Sequence, residues 1–216
     1  MGDIFREIDE ELRQDKFEKL WREYGRYVIA GAIVIVLAVA GISGWRQYQE
    51  SLRLADGTRF AAAKALSEDG NTDDASALFS SLGRESGTNY GILSRFHEAA
   101  ISASKGDSGS AIGLYEALAI DAGVDAPFRG LATILSASLR ANSPSPNFGE
   151  ISERLQPLID NGSQWRNSAL EILGTVAHRS GNFTKAKDIF KQITDDVEAS
   201  RGLRTRAAQM LAIMGN

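Results

Sequence analysis

Chemistry is sparse in this chain, and the residues able to do any are widely separated. Its two histidines, His97 and His178, are 81 positions apart and share no motif with a second ligand. A lone histidine on a helix is ordinarily a packed or surface residue, and neither stands in a His-x-x-Glu-His or paired-cysteine pattern. "GDSGSAIG" (from Gly106) is glycine-rich but lacks the Lys-Ser/Thr and the preceding strand of a phosphate loop. "GTNYG" around Tyr90 has no serine for a nucleophile elbow. Two acidic pairs remain. Asp73–Asp74 suits the first turn of a helix, where carboxylates favour the dipole. Asp195–Asp196 falls at the end of one, where they do not, unless Asp195 begins a turn. No convergent catalytic set emerges, so the sequence predicts a protein that is not an enzyme and has no cofactor or metal.

Composition narrows the classes further. The 216 residues carry a net charge of −4 with both signs mixed, and no basic block speaks for nucleic acid. There is no cysteine, which excludes disulfides, thiolate chemistry and zinc fingers. It is also compatible with an oxidising compartment. Four prolines are present: Pro127, Pro144, Pro146 and Pro157. Alternating β-branched runs are nearly absent outside one apolar stretch, and Ala, Leu, Ser and Glu dominate. This is an all-α composition.

That stretch is "YVIAGAIVIVLAVAGISGW", Tyr27 to Trp45. It has no charge and is long enough for the roughly 20 residues that cross a bilayer. Tyr24 and Tyr27 mark one border, Trp45 and Tyr48 the other, where amphipathic rings prefer the headgroups. A long acidic segment precedes it and no small-x-small cleavage site follows, so it reads as an uncleaved anchor rather than a signal peptide. Arg13, Lys16, Lys19, Arg22 and Arg26 precede it, against Arg46, Arg53, Arg59 and Lys64 after it. The small bias predicts the N-terminus inside and the C-terminal domain outside. Ala40 and Gly44 are spaced small-xxx-small and are candidates for packing against another membrane helix. Residues 3–24 read as an amphipathic helix, with Ile4, Ile8, Leu12, Phe17, Leu20, Trp21 and Tyr24 as its apolar stripes.

Beyond the anchor the chain repeats itself. "GNTDDASALFSSL" (Gly70–Leu82), "GDSGSAIGLYEAL" (Gly106–Leu118) and "GNFTKAKDIFKQI" (Gly181–Ile193) align without gaps. In each, Gly ends one helix in the left-handed conformation, and Asn71, Asp107 or Asn182 can cap the next. Ala75, Ala111 and Ala186 let two helices approach closely. Phe79, Tyr115 and Phe190 fill the groove one turn further on, and Leu82, Leu118 and Ile193 continue that face. Preceding helices fit: Phe60, Ala63, Leu66; Phe96, Ala99, Ala100, Ala103; Leu170, Leu173, Gly174, Ala177. A degenerate copy, "NFGEISERLQPLI", fills the double gap, with Ile151, Leu155 and Leu158 buried and "NSPSPN" in place of the Gly–Asn turn. Leu203–Met214 reads as the capping helix that covers the last apolar face.

A two-helix unit with a period of about 34–37 residues resembles the tetratricopeptide repeat, most closely in the copy holding Leu173–Gly174, Gly181, Phe183, Ala186 and Phe190. The expected organisation is a cytoplasmic amphipathic tail over 1–26, a transmembrane helix over 27–47 and a helical-hairpin solenoid over 48–216. Concave faces of such solenoids bind segments of other proteins. Spacing nominates Arg59, Arg95, Asn167 and Glu171, non-core positions on the first helices of the repeats, as protein-binding residues.

The layout, with the helix exit "GWRQYQ" (Gly44–Gln49), further resembles the bacterial YfgM-like proteins, ancillary subunits of the Sec translocon. This sequence departs from them in a longer N-terminal tail. The resemblance implies inner-membrane anchoring, a periplasmic repeat domain, and the Sec translocon and a prolyl-isomerase-type periplasmic chaperone as partners. Exported proteins would be its clients. The alternative is a membrane-anchored scaffold for envelope synthesis or division machinery, or a cytoplasmic-facing regulator scaffold.

Overall fold

In a computed structural model, the backbone of residues 3–215 is described, with the side chains of 21–215 apart from Val28. The expected stripe over Ile4, Ile8, Leu12, Phe17 and Leu20 lies outside the described side chains. Trp21 and Tyr24, which extend it, are exposed.

Among the described residues all regular structure is α-helical. The helices are α1 (Asp3–Glu68), α2 (Thr72–Glu85), α3 (Asn89–Ser104), α4 (Ser108–Ile120), α5 (Ala126–Ala141), α6 (Phe148–Asp160), α7 (Arg166–Arg179), α8 (Phe183–Asp195) and α9 (Arg201–Ile213). The chain divides into two compact units, Met1–Leu54 and Ala55–Asn216. Helix α1 contains no proline, the residue that would most readily interrupt it.

In the first unit every large apolar side chain from Ile29 to Trp45 is exposed, Ile33 to Leu37 among them. A soluble helix this apolar would be buried in a core. This is the one helix, among the described residues, long and apolar enough to cross a membrane.

The second unit is built of helical hairpins. The last turns of α1 pair with α2, α3 with α4, α5 with α6 and α7 with α8, and α9 covers the end of α7–α8. The regular hairpins are made by three devices, the second of which is missing from the first hairpin. The first is the turn. Gly70, Gly106 and Gly181 have φ of 85°, 83° and 76°, a region that favours glycine. This lets the next residue's N–H reach back to a carbonyl of the preceding helix: Asp107 to Ser102 at 3.0 Å, Asn182 to Ala177 at 2.9 Å. The second is the cap. Asp107 accepts from the Ser110 N–H and Asn182 from the Lys185 N–H. Asn71 makes no such bond. Instead Asp73 in the first turn of α2 pairs with Lys105 from the end of α3, which holds its carboxyl below the usual range.

The third device is the crossing. Ala75, Ala111 and Ala186 are fully buried, as are their counterparts Ala63 and Ala99 on the first helices. In the last hairpin the counterpart is Gly174. A Cβ there would stand 2.9 Å from the Phe190 ring, so ring and backbone are in direct contact. Phe79 and Phe190 are almost wholly buried. Burial of that kind stabilises by roughly 1.5–3 kcal/mol per side chain.

The third hairpin departs from the pattern. Its first helix is α5, entered through Asp125 and Pro127. Ile151 and Leu155 of α6 are buried as expected, while Leu158 is partly buried. In place of a glycine turn, Arg179 of α7 reaches back to the carbonyls of Ala141 and Ser143 (3.0 Å to the latter) and satisfies the end of α5. Three apolar clusters result: α1–α2–α3, α3–α4–α5, and a larger one from α5 to α9.

Candidate protein-binding groove

The four polar residues nominated from spacing all engage a neighbouring element. Arg59 bonds Glu85 of α2 at 2.8 Å and Ser81 at 3.4 Å. Arg95 of α3 holds Asp121, just after α4, at 2.6 Å. Asn167 and Arg166 of α7 hold Asp196, just after α8, at 3.0 and 2.8 Å. Glu171 of α7 takes two bonds from Arg206 of α9, at 2.6 and 3.0 Å. These partners lie 22 to 35 residues away along the chain, beyond the reach of spacing within one helix.

Two of these four contacts, those of Arg95 and Asn167, are copies of one latch. Where the second helix of a hairpin ends, the residue that caps it turns to extended backbone: Ser86 (ψ 124°), Asp121 (ψ 112°) and Asp196 (ψ 114°). Its side chain accepts an N–H two residues on, from Thr88, Gly123 and Glu198. It also bonds the first helix of its own hairpin, through Asp56 (2.5 Å), Arg95, and Arg166 with Asn167. The Arg95 bond and the Gly123 N–H hold the Asp121 carboxyl below its usual range. The Asn167 bond and the Glu198 N–H do the same for Asp196. The turn therefore begins at Asp196, one residue later than expected. Hydrogen bonding to Glu171, with the charge of that carboxylate second, pushes Arg206 up.

An apolar groove lies between α3 and α5. Leu93, Phe96 and His97 form one wall, Phe128, Leu131 and Leu135 the other, with Tyr115 of α4 beneath. The cavity is about 370 Å³, within the range of sites that take a few side chains of a ligand. Phe96 packs 6.4 Å from Phe128 and 6.0 Å from Tyr115. Phe128 remains 37 % exposed although it is a large apolar residue. Tyr115 is buried, and burial alone pushes its phenol up.

His97 stacks on Phe79 (4.8 Å, 13°) and meets Phe60 edge-on at 5.2 Å. Burial, with Lys64 second, holds its imidazole below the ordinary value. His178 sits in another hairpin, edge-on to Phe183 at 5.4 Å. The two histidines are thus packing partners of aromatic rings. Reading core positions alone missed this groove. Its signal was a second apolar stripe, Phe128–Leu131–Leu135, beside the buried Ala132 and Ala137 of the same helix. A helix apolar on two faces either joins two cores or leaves one face for a ligand.

A second concavity of about 630 Å³ is polar, between the α6–α7 turn and the end of α8, lined by Ser163, Arg166, Asn167, Gln192, Asp196 and Glu198. Its Arg166, Asn167 and Asp196 are already bonded to each other. In the first unit Ala40 and Gly44 are exposed, and among the described residues nothing outside the helix's own nearby backbone comes within 4 Å of a Cβ built at Gly44. That helix face is open to another helix.

Stacked helical hairpins with small residues at the crossings, glycine turns and an open apolar groove define a helical-repeat protein of the kind that binds other proteins. The chain belongs to the tetratricopeptide repeat-like domain family, whose model matches residues 18–211. No curated protein and no solved structure matches it.

Proposed function

We propose that the chain is a single-pass inner-membrane protein whose repeat domain holds segments of other proteins on the periplasmic side. The observation that carries the reading is the exposed apolar groove between α3 and α5. The apolar stretch from Tyr27 to Trp45 acts as anchor, and Ala40 and Gly44 as a face for a neighbouring membrane helix. Anchoring raises the effective concentration of a weak binding site at the membrane, so modest affinity suffices. Arg59, Arg95, Asn167 and Glu171 serve binding by keeping the hairpins in register. No chemical step is assigned: the work is holding and relaying. The resemblance to YfgM-like proteins makes the Sec translocon and a prolyl-isomerase-type chaperone the partners, and exported chains the clients.

Protease protection tests the topology. Digestion of the repeat domain once the outer membrane is opened supports the reading; protection until the inner membrane is lysed overturns it. Photo-crosslinkers at Leu131 and Gly44 then test the partners. Crosslinks to translocon subunits and to exported chains support the role, and crosslinks to division or envelope-synthesis proteins replace it with a scaffold.

A further inference from the structure

Of the residues that line the α3–α5 groove, His97 and Tyr115 are ionisable, and the rest are apolar. Taking the groove as the binding site proposed above, we infer that a proton on His97 and an apolar ligand in the groove exclude one another, so that the groove releases its ligand on acidification. The geometry carries this. The imidazole is packed between Phe79 of α2 and Phe60 of α1, and its remaining side opens into the groove. The charged groups around it offer no compensation. Helix α1 contributes Lys64, a like charge to the imidazolium, itself paired to Glu68 at 3.2 Å. Helix α2 contributes the Phe79 ring, α4 the Tyr115 phenol, and α5 the apolar Phe128, Leu131 and Leu135. On α3 itself Glu98 is the adjacent acid, and Arg95 is bound to Asp121.

An imidazolium on this rim needs water from the groove side. A ligand that fills the groove removes that water, and an uncompensated buried charge is costly. The Phe60 and Phe79 rings contact His97 in the free and bound states alike, so their attraction for a cation cancels in the comparison. Linkage then makes the effect reciprocal: the ligand depresses His97 protonation as much as protonation weakens the ligand. Burial already lowers this group from its ordinary 6.5, so the groove is competent at neutral pH and fails below it.

The test uses the full chain in lipid nanodiscs and the peptide Gly-Ser-Leu-Phe-Leu-Ser-Gly carrying a rhodamine, followed by fluorescence anisotropy. The expected result is binding near neutral pH, abolished by Leu131→Glu, that weakens on acidification with a limiting slope of about tenfold per pH unit. His97→Gln flattens that slope. Lys64→Gln changes an exposed side chain and moves the midpoint to higher pH, which decides the matter should the His97→Gln variant fold poorly. Binding that Leu131→Glu abolishes but that is level with pH overturns this inference and leaves the groove standing. No groove-dependent binding at any pH overturns both.

Discussion

The third and fourth hairpins occupy neighbouring places in one solenoid and are held by different physics. Helices α7 and α8 are joined by the left-handed Gly181 and touch through Gly174 and Phe190, a contact of shape. Helices α5 and α6 are joined by the proline-containing segment 142–147, and their polar edge is a network of charges. Arg140 bonds Glu116 of α4 and Glu150 of α6, both at 2.7 Å, and Arg154 also reaches Glu116 at 2.6 Å. Trp165 completes the junction: its indole donates to the Pro127 carbonyl at 2.8 Å and lies where a Cβ on Gly130 would be. A repeat that loses its turn glycine can still stack, provided directed polar contacts replace the lost close approach.

The widest gap between the two hairpins should appear on cutting the shape contact. Phe190→Ala leaves a cavity between α7 and α8 and should cost about 3–5 kcal/mol in urea unfolding, independent of salt. An insensitive stability would mean that α9 and α6 hold the last hairpin by themselves. Next in size is Arg140→Leu in the third hairpin. It takes one of two arginine partners from each of two partly exposed carboxylates, leaving Arg154, and should cost about 1–2 kcal/mol at low salt and less in molar salt, because such pairs are screened. A salt-independent loss would show that the arginine acts through its stem rather than its charge. Gly181→Ala forces a side chain into a left-handed turn and should cost about 1–2 kcal/mol. Alanine at Gly149, in the first turn of α6 and without positive φ, should be close to neutral.

The smallest effect is expected in acid. Asp121 and Asp196 have carboxyls depressed below 3.8, so their latches contribute above that value and are lost as pH falls through the lower folded-state values. The α6–α7 turn uses the Ser163 hydroxyl, which does not titrate there. Amide exchange at falling pH should therefore loosen Gly123 and Glu198 before Trp165. Asp196→Asn should remove the dependence in its own turn alone. Simultaneous loosening of all three turns would show that acid acts on the whole domain rather than on the latches.

How far the sequence can be read depends on whether a feature is local. Turn glycines, caps and the Ala-x-x-x-aromatic spacing act within one helix or one turn. Gly106, Asp107, Ala111 and Tyr115 can be placed from the sequence, and so can the apolar span of α1. Helix α5 as the partner of α6 is not legible in the same way, since Ala132, Ser136 and Ala137 bury a face too small in side chain to stand out. The candidate binding residues are harder still. Arg59, Arg95, Asn167 and Glu171 stand out as polar positions off the core, and each is tied to an element far along the chain.

By itself, then, the sequence determined the all-α class, the repeat, the α7–α8 hairpin and the apolar stretch, because periodicity and backbone conformational preference are properties of short segments. Only the tertiary structure decided which polar side chains are spent on latches and which apolar stripe is left uncovered. Phe128 and Phe190 are both phenylalanines on amphipathic helices, one 37 % exposed in a groove and the other 1 % exposed in a core. Burial depends on what packs opposite a residue, and that neighbour comes from another hairpin.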